Sequence, residues 1–274
     1  MSTQIRQRDH VFTDADFEHI RVLLYGYSGI NLNKSKINMV YNRLRPRLRA
    51  TGMPSVANYL ELVEQDYEGE FEKFVNSLTT NLTSFFREAH HFPILKKHVT
   101  DLRKKPVRLW CSAASTGEEP YTMAMTMIEA FGSYTPPVEI VATDIDTNVL
   151  AKATKGVYSL DSVKSLPPET LKRYFLRGTG ANANFVQVRK ELRDMIRFQP
   201  LNLLDEHWAI GSGFDAIFCR NVMIYFDKDT QYKILTRFSP MLAPHGLLFA
   251  GHSESLNNAE DLFKLRGHTV FEKA

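Results

Sequence analysis

Phe17, Ile20, Leu24 and Tyr27 recur three or four residues apart behind Thr13, which can cap a helix that starts with Asp14, Asp16 and Glu18 and closes at Gly29. Met39, Val40, Leu44 and Leu48 predict a second helix from Lys34 to Leu48, which Pro46 is expected to kink or end. Pro54 and Ser55 open a third through Glu64, and Phe71, Phe74, Val75 and Leu78 place a fourth before Thr80. Four amphipathic helices without a strand predict a helical N-terminal domain over residues 1–90. Phe92 to Lys105 then reads as a helical connector, a linker over 91–105 that ends at Pro106.

From Val107 the pattern changes. An apolar, β-prone run gives way to small residues from Ser112 to Gly117, and a helical pattern restarts at Glu118 with Met123, Met127 and Ile128. A second strand runs from Val138 to Asp146, and helices follow over Asn148 to Lys155 and Pro167 to Arg177. Phe185 to Arg189 and Met195 to Phe198 alternate apolar with polar residues as a small antiparallel hairpin does, an insertion over about residues 178–197. A buried strand from Phe214 to Cys219, a helix from Lys228 to Leu242 and strands at Leu247 to Ala250 and Val270 to Glu272 complete the chain. Strands alternating with helices over 106–274 predict an α/β domain with a doubly wound, largely parallel sheet.

Length and composition add bounds. The chain has 274 residues, 43% hydrophobic and 24% charged, enough for two globular domains with a substantial core. A net charge of +3 is too small to imply nucleic-acid binding. No signal-peptide pattern opens the chain and no apolar run approaches the ~20 residues of a membrane span, so a cytoplasmic protein is expected. Cys111 and Cys219 lie in apolar strand-like runs and read as core thiols, and no Cys/His cluster has ligand spacing, so no metal is expected. Between Asn31 and Gly52, Lys34, Lys36, Arg43, Arg45, Arg47 and Arg49 occur without an acid. Such a stretch is either a solvated helix face or a surface for an acidic partner; solvated faces usually mix signs, which favours the partner.

The turn after Cys111 carries the chemistry. Ser, Ala, Thr and Gly let a backbone approach a ligand closely, and the start of the next helix offers unpaired N–H groups. A dinucleotide site calls for G-x-G-x-x-G and a pyrophosphate on the helix start; here there is one glycine followed by Glu118 and Glu119. Two acids repel a pyrophosphate and suit a cationic cofactor such as S-adenosylmethionine, although first-turn acids also complement the helix dipole. Asp144 ends the next strand roughly 25 residues on, where an α/β cofactor fold places a carboxylate for ribose hydroxyls. In T-N-L-T-S-F-F-R-E, from Thr80 to Glu88, polar Asn81, Thr83 and Arg87 interleave with Phe85 and Phe86, a pattern a bundle helix does not need.

Taken together, N-L-T-S-F-F-R-E, S-A-A-S-T-G-E-E-P-Y, A-T-D-I-D, F-D-A-I-F-C-R-N-V-M-I-Y-F and G-L-L-F-A-G-H-S-E resemble the CheR-type chemoreceptor glutamate methyltransferases over nearly the whole chain. The resemblance implies a Rossmann-like methyltransferase sheet with a small antiparallel β-subdomain. It also implies methyl transfer from S-adenosylmethionine to glutamate carboxylates on the helical cytoplasmic domain of receptors, leaving S-adenosylhomocysteine. By motif match, Asn81, Thr83, Arg87 and Ala113 contact the cofactor, Glu118 holds its ammonium and Asp144 its ribose. Asn202, Leu203, Arg220 and Asn221 complete the cofactor site, and Arg87 and Tyr225 are the catalytic residues beside the methyl group. The partner is a receptor, met by Lys36, Arg43, Arg45, Arg47 and Arg49; a monomer is expected, with no membrane insertion. Some members also bind a receptor's C-terminal pentapeptide as an added strand. Gly178 and Gly180 keep their glycine turn, but Asn184 and Gln187 stand where they tend to have glycine and arginine, so such a tail is expected to bind weakly or not at all. Two other classes stay open. One is a methyltransferase for a small acid or nucleic acid, which lacks a basic aromatic strand here; the other is a non-catalytic module, which has no need of Arg87, Asp144 and Tyr225 together.

Overall fold

The computed structural model describes residues 10–102 and 106–274. It divides into two compact units, the first ending at Thr80 and the second spanning Asn81–Ala274. The division thus falls before the segment Asn81 to His90, which sequence reading grouped with the helical domain.

Four helices make up the first unit: α1 (Asp14–Ser28), α2 (Ile37–Thr51), α3 (Val56–Glu64) and α4 (Glu70–Leu78). Thr13 and Asp16 form a reciprocal capping box at the start of α1, and Gly29, at φ 72°, ends it. Pro46 does not end α2, which continues to Thr51 and stops at Gly52. Its missing N–H orphans only the carbonyl of Asn42, which lies on the exposed side, while Leu44 and Leu48 bury the opposite side.

The basic stretch on α2 is partly spent inside this unit. Arg47 Nε and Nη2 donate to Glu70 Oε1 and Oε2 at 2.8 and 2.6 Å, and Tyr59 donates to the same carboxylate at 2.9 Å. Arg43 Nη1 donates to the carbonyls of Leu78 and Thr79, both at 2.7 Å, capping the end of α4. Lys34 lies 3.8 Å from Glu18. Arg43 and Arg47, expected on a receptor surface, therefore also brace α4, Arg47 through an acid that lies beyond the stretch in which none was found.

The second unit contains α5 (His91–Asp101), β1 (Val107–Cys111), α6 (Glu118–Phe131), β2 (Val138–Asp144), α7 (Thr147–Lys155), β3 (Val157–Ser159), α8 (Leu160–Val163), α9 (Pro168–Tyr174), β4 (Phe175–Arg177), β5 (Phe185–Val188), α10 (Lys190–Asp194), β6 (Ile196–Pro200), β7 (Phe214–Cys219), α11 (Lys228–Met241), β8 (Leu242–Ala250), β9 (Phe263–Gly267) and β10 (Val270–Lys273). Helix α5 is the expected connector, shorter than 91–105; residues 103–105 of that range lie outside the described residues. Seven strands form one sheet in the order β6-β2-β1-β7-β8-β10-β9. The first five are mutually parallel, and β10 runs antiparallel to both of its neighbours. One face packs Leu95, Val99, Met123 and Met127 against the strands, and the other packs Trp110, Phe214, Ile234 and Phe238. Strand order reverses between β1 and β7, the topological switch point at which α/β sheets bind ligands. Among the described residues no helix is long and apolar enough to cross a membrane.

The expected hairpin over 178–197 is not formed. Strand β5 is the centre of a separate three-stranded antiparallel sheet, β3-β5-β4, while β6 joins the main sheet beside β2, from Ile140↔Ile196 to Asp144↔Pro200. Helix α10 sends the two strands to different sheets. An edge strand of the main sheet is half-buried and alternates like a hairpin strand, so periodicity alone does not tell them apart.

Candidate cofactor and acceptor site

The turn after β1 is tied to the end of β2. Ser115, at φ 48°, donates its N–H to Asp144 Oδ2 at 2.7 Å, and Asp146 N–H reaches Asp144 Oδ1 at 3.0 Å. Gly117, at φ 99°, passes so close to α7 that a Cβ would stand 2.9 Å from Ala153 Cβ and from the Tyr158 hydroxyl. The expected ribose carboxylate thus also holds the turn that contains half-buried Ala113. Its oxygens accept backbone N–H groups of Ser115, Asp146 and Ile145, and the four lone-pair sites of a carboxylate leave capacity for a further donor. Asp144 is 7% exposed, and burial, outweighing those N–H bonds, pushes its carboxyl up to about 6.

Glu118 opens α6, also 7% exposed, with Oε2 accepting the Thr116 hydroxyl at 2.6 Å. Burial raises its pKa, and no described cation offsets that. A buried carboxylate without a counter-ion, at the edge of a glycine turn, suits a ligand ammonium. Glu119 serves differently: its Oε2 lies 2.9 Å from Arg220 Nη1, and it accepts the Cys111 thiol at 3.2 Å. Burial pushes the Cys111 and Cys219 thiols up, as befits core residues.

Asn81 reaches the same turn. Its Nδ2 donates to Asp146 Oδ2 at 2.8 Å, and its carbonyl accepts the Ser115 hydroxyl at 3.0 Å. Phe85 anchors the segment against Tyr158 and Phe175, with ring centroids 4.9 and 5.4 Å away. Thr83 is half-buried, and Arg87 folds back to donate to the Leu82 carbonyl at 2.9 Å. Asn202 and Leu203 follow β6, whose end is pinned by Leu201 N–H on the Asp144 carbonyl at 3.0 Å. Arg237 of α11 steadies that loop: it donates to the carbonyls of Leu203 and Glu206 at 3.2 and 3.1 Å and lies 3.7 Å over the Trp208 ring.

Arg220 turns its guanidinium into the protein interior. Its side chain is 1% exposed, set between Glu119 and Glu88 (Nη2 to Glu88 Oε2, 3.5 Å) and donating to the Arg87 carbonyl. Two partly buried carboxylates thus claim the guanidinium, so an expected cofactor contact at Arg220 falls to its backbone. Asn221, at φ 59°, donates its N–H to Glu254 Oε2 at 2.9 Å and its amide to Glu88 Oε1 at 3.3 Å. Met223 N–H reaches Glu254 Oε1 at 2.8 Å, which fixes the short turn ending at half-buried Tyr225. Sequence reading missed Glu88, Glu254 and Arg237 as supports; an acid inside a quoted block carries no sign of its distant partner.

Glu88, His90 and His91 bring potential metal-ligand atoms within 4.8 Å of one another, a grouping their ligand spacing did not suggest. The cation already beside Glu88 is Arg220. His91 is fully buried, with Nε2 on the His268 carbonyl at 2.8 Å, and burial pushes it down to about 4, so the ring is neutral at pH 7. In the small sheet, a Cβ at Gly178 would fall 2.1 Å from the Asn182 carbonyl oxygen, and Gly180 sits at φ 56°. Both glycines are required to close β4 onto β5.

Residues 81–271 match the family model described as CheR methyltransferase, SAM binding domain, and residues 15–79 match the CheR methyltransferase all-alpha domain. The chain is 52% identical over 260 residues to the chemotaxis protein methyltransferase of Escherichia coli, covering 94% of this chain and 91% of that one. It is 50% identical over 269 residues to chemotaxis protein methyltransferase 2 of Pseudomonas aeruginosa, covering 96% and 94%. Glu118 and Asp144, at the turn beyond β1 and β2, fit the cofactor that the first model names. The chain belongs to the CheR methyltransferase family, and its second unit is the family's S-adenosylmethionine-binding domain.

Proposed function

We propose that this protein methylates the γ-carboxylates of glutamates on chemotaxis receptors, using S-adenosylmethionine, in sensory adaptation. The observation that carries the cofactor half is the pair of buried acids, Glu118 without a counter-ion and Asp144 with capacity left for donors. The receptor half is supported by the names of the relatives and by the sequence blocks shared with the family. Glu118 would hold the ammonium, Asp144 the ribose hydroxyls, and Asn202 and Leu203 the adenine side, while Asn81, Thr83 and Ala113 line the turn. The cofactor supplies a methyl carbon activated by its sulfonium.

The chain's task is then orientation. A glutamate carboxylate is already ionised at pH 7, so no general base is needed. Arg87 and Tyr225 would align it for in-line attack, with Asn221 on the cofactor beside them, and positioning of this kind can supply of the order of 7–11 kcal/mol. Arg220 and Glu254 act by holding those residues. On the first unit, Lys36, Arg43, Arg45, Arg47 and Arg49 would meet the receptor. Incubation with methyl-labelled cofactor and receptor-bearing membranes tests the reading. Base-labile label on receptor glutamates is expected, and label elsewhere or none would overturn it.

A further inference from the structure

We propose that Glu88, His252 and Ser253 form a hydrogen-bonded chain that receives the acceptor carboxylate, with the Ser253 hydroxyl as the contacting group; this rests on the carboxylate-methylating reading above. Glu88 Oε1 lies 3.0 Å from His252 Nδ1 and 3.3 Å from Asn221 Nδ2, so His252 and Asn221 converge on one oxygen atom. Ser253 Oγ stands 3.0 Å from His252 Nε2. The two loops leave the C-terminal ends of neighbouring strands β7 and β8, where Cys219 pairs with Ala250. The chain runs outward from a buried carboxylate, 9% exposed, to an imidazole 68% exposed and an exposed serine.

The direction of the hydrogen bonds follows from Glu88. Burial works to raise its carboxyl, but the His252 hydrogen bond and the Arg220 charge outweigh that and hold it at about 2. Glu88 is therefore an acceptor only, and Nδ1 of His252 carries a proton. In the neutral ring Nε2 takes the Ser253 hydrogen, and the serine shows lone pairs to an incoming ligand. In the imidazolium Nε2–H donates to Oγ, and the hydroxyl hydrogen turns outward as a donor. An arriving carboxylate selects the second state, since it bonds to that hydrogen and is attracted by the ring charge. Other charged or titratable groups around the chain include Arg220 and His91, 3.5 and 3.8 Å from Glu88 Oε2, His90 within 4.8 Å of Glu88, Glu119 on the far side of Arg220, and Glu254, whose oxygens face backbone N–H groups. An ordinary surface ion pair would have no bearing on acceptor affinity.

His252→Gln and Ser253→Ala in the full chain separate the two cases. Each is expected to raise KM for receptor about tenfold, as loss of a charge-assisted hydrogen bond does. Calorimetric affinity for S-adenosylmethionine should stay within about twofold, because these residues lie outside the proposed cofactor contacts. Unchanged receptor KM in both variants, or an equal loss of cofactor affinity, would overturn the chain. A parent that methylates no receptor glutamate would bring down the underlying reading as well, and is recognised before any variant is compared.

Discussion

Asp144 is held near the pH at which it must work. Because its folded pKa is raised to about 6, its contribution to the stability of the unliganded protein is full below the ordinary carboxylate range and lost as pH rises through 6. In the proposed complex, ribose hydroxyls would donate to the ionised form and pull the other way. Affinity for S-adenosylmethionine should therefore weaken about tenfold between pH 7 and pH 5, following the ionised fraction of a group titrating near 6. Asp144→Asn, which keeps an acceptor for Ser115 N–H, should bind more weakly and with a flatter pH profile. Calorimetry across that range checks both, and a parent affinity that ignores pH would sink the ribose assignment. Arg47 makes the opposite case. Burial works to raise Glu70, but the bonds from Arg47 and Tyr59 win and lower it, so the pair's contribution is present above the ordinary carboxylate range and fades as pH falls. Arg47→Ala leaves a carboxylate 2% exposed with only the Tyr59 hydroxyl and Lys73, 3.5 Å away, and should lower unfolding stability by about 3 kcal/mol in urea titration, with cofactor affinity unchanged. The arginine looked unpaired in sequence because its acid lies 23 residues away.

At the scale of elements, periodicity located most strands but not their partners. Strand β9 was missed because only Phe263 is buried and Leu265 is 63% exposed, and β3 and β4 because three residues make no readable alternation. The strand, turn and helix around Glu118 was legible because all its determinants are local. The small sheet bears on receptor tails. Val157, Leu176 and Phe185 are exposed on its face opposite Val186 and Val188, and β3 and β4 are its edges. Its central residue Gln187 is neutral and spends its amide on the Lys155 carbonyl at 3.1 Å. A free pentapeptide copying a receptor C-terminus should give no binding heat up to millimolar concentration. Micromolar binding would show that backbone pairing at an edge is enough without an arginine.

For the molecule as a whole, the acids proposed for the cofactor were readable and the network proposed behind the acceptor was not. Glu88 meets Asn221 across 133 residues and His252 across 164, and no local pattern announces contacts of that separation. Where they cross, Gly251 has no room for a side chain: a Cβ would stand 2.5 Å from the Asn221 amide and 2.8 Å from Glu254 Oε2. The loops after β7 and β8 are consequently not free to diverge one at a time. A descendant that enlarges residue 251 must shrink or redirect residue 221 in the same lineage, and until it does, the intermediate carries a displaced amide in the acceptor site. The two loops are inherited as one unit, although thirty residues of chain separate them.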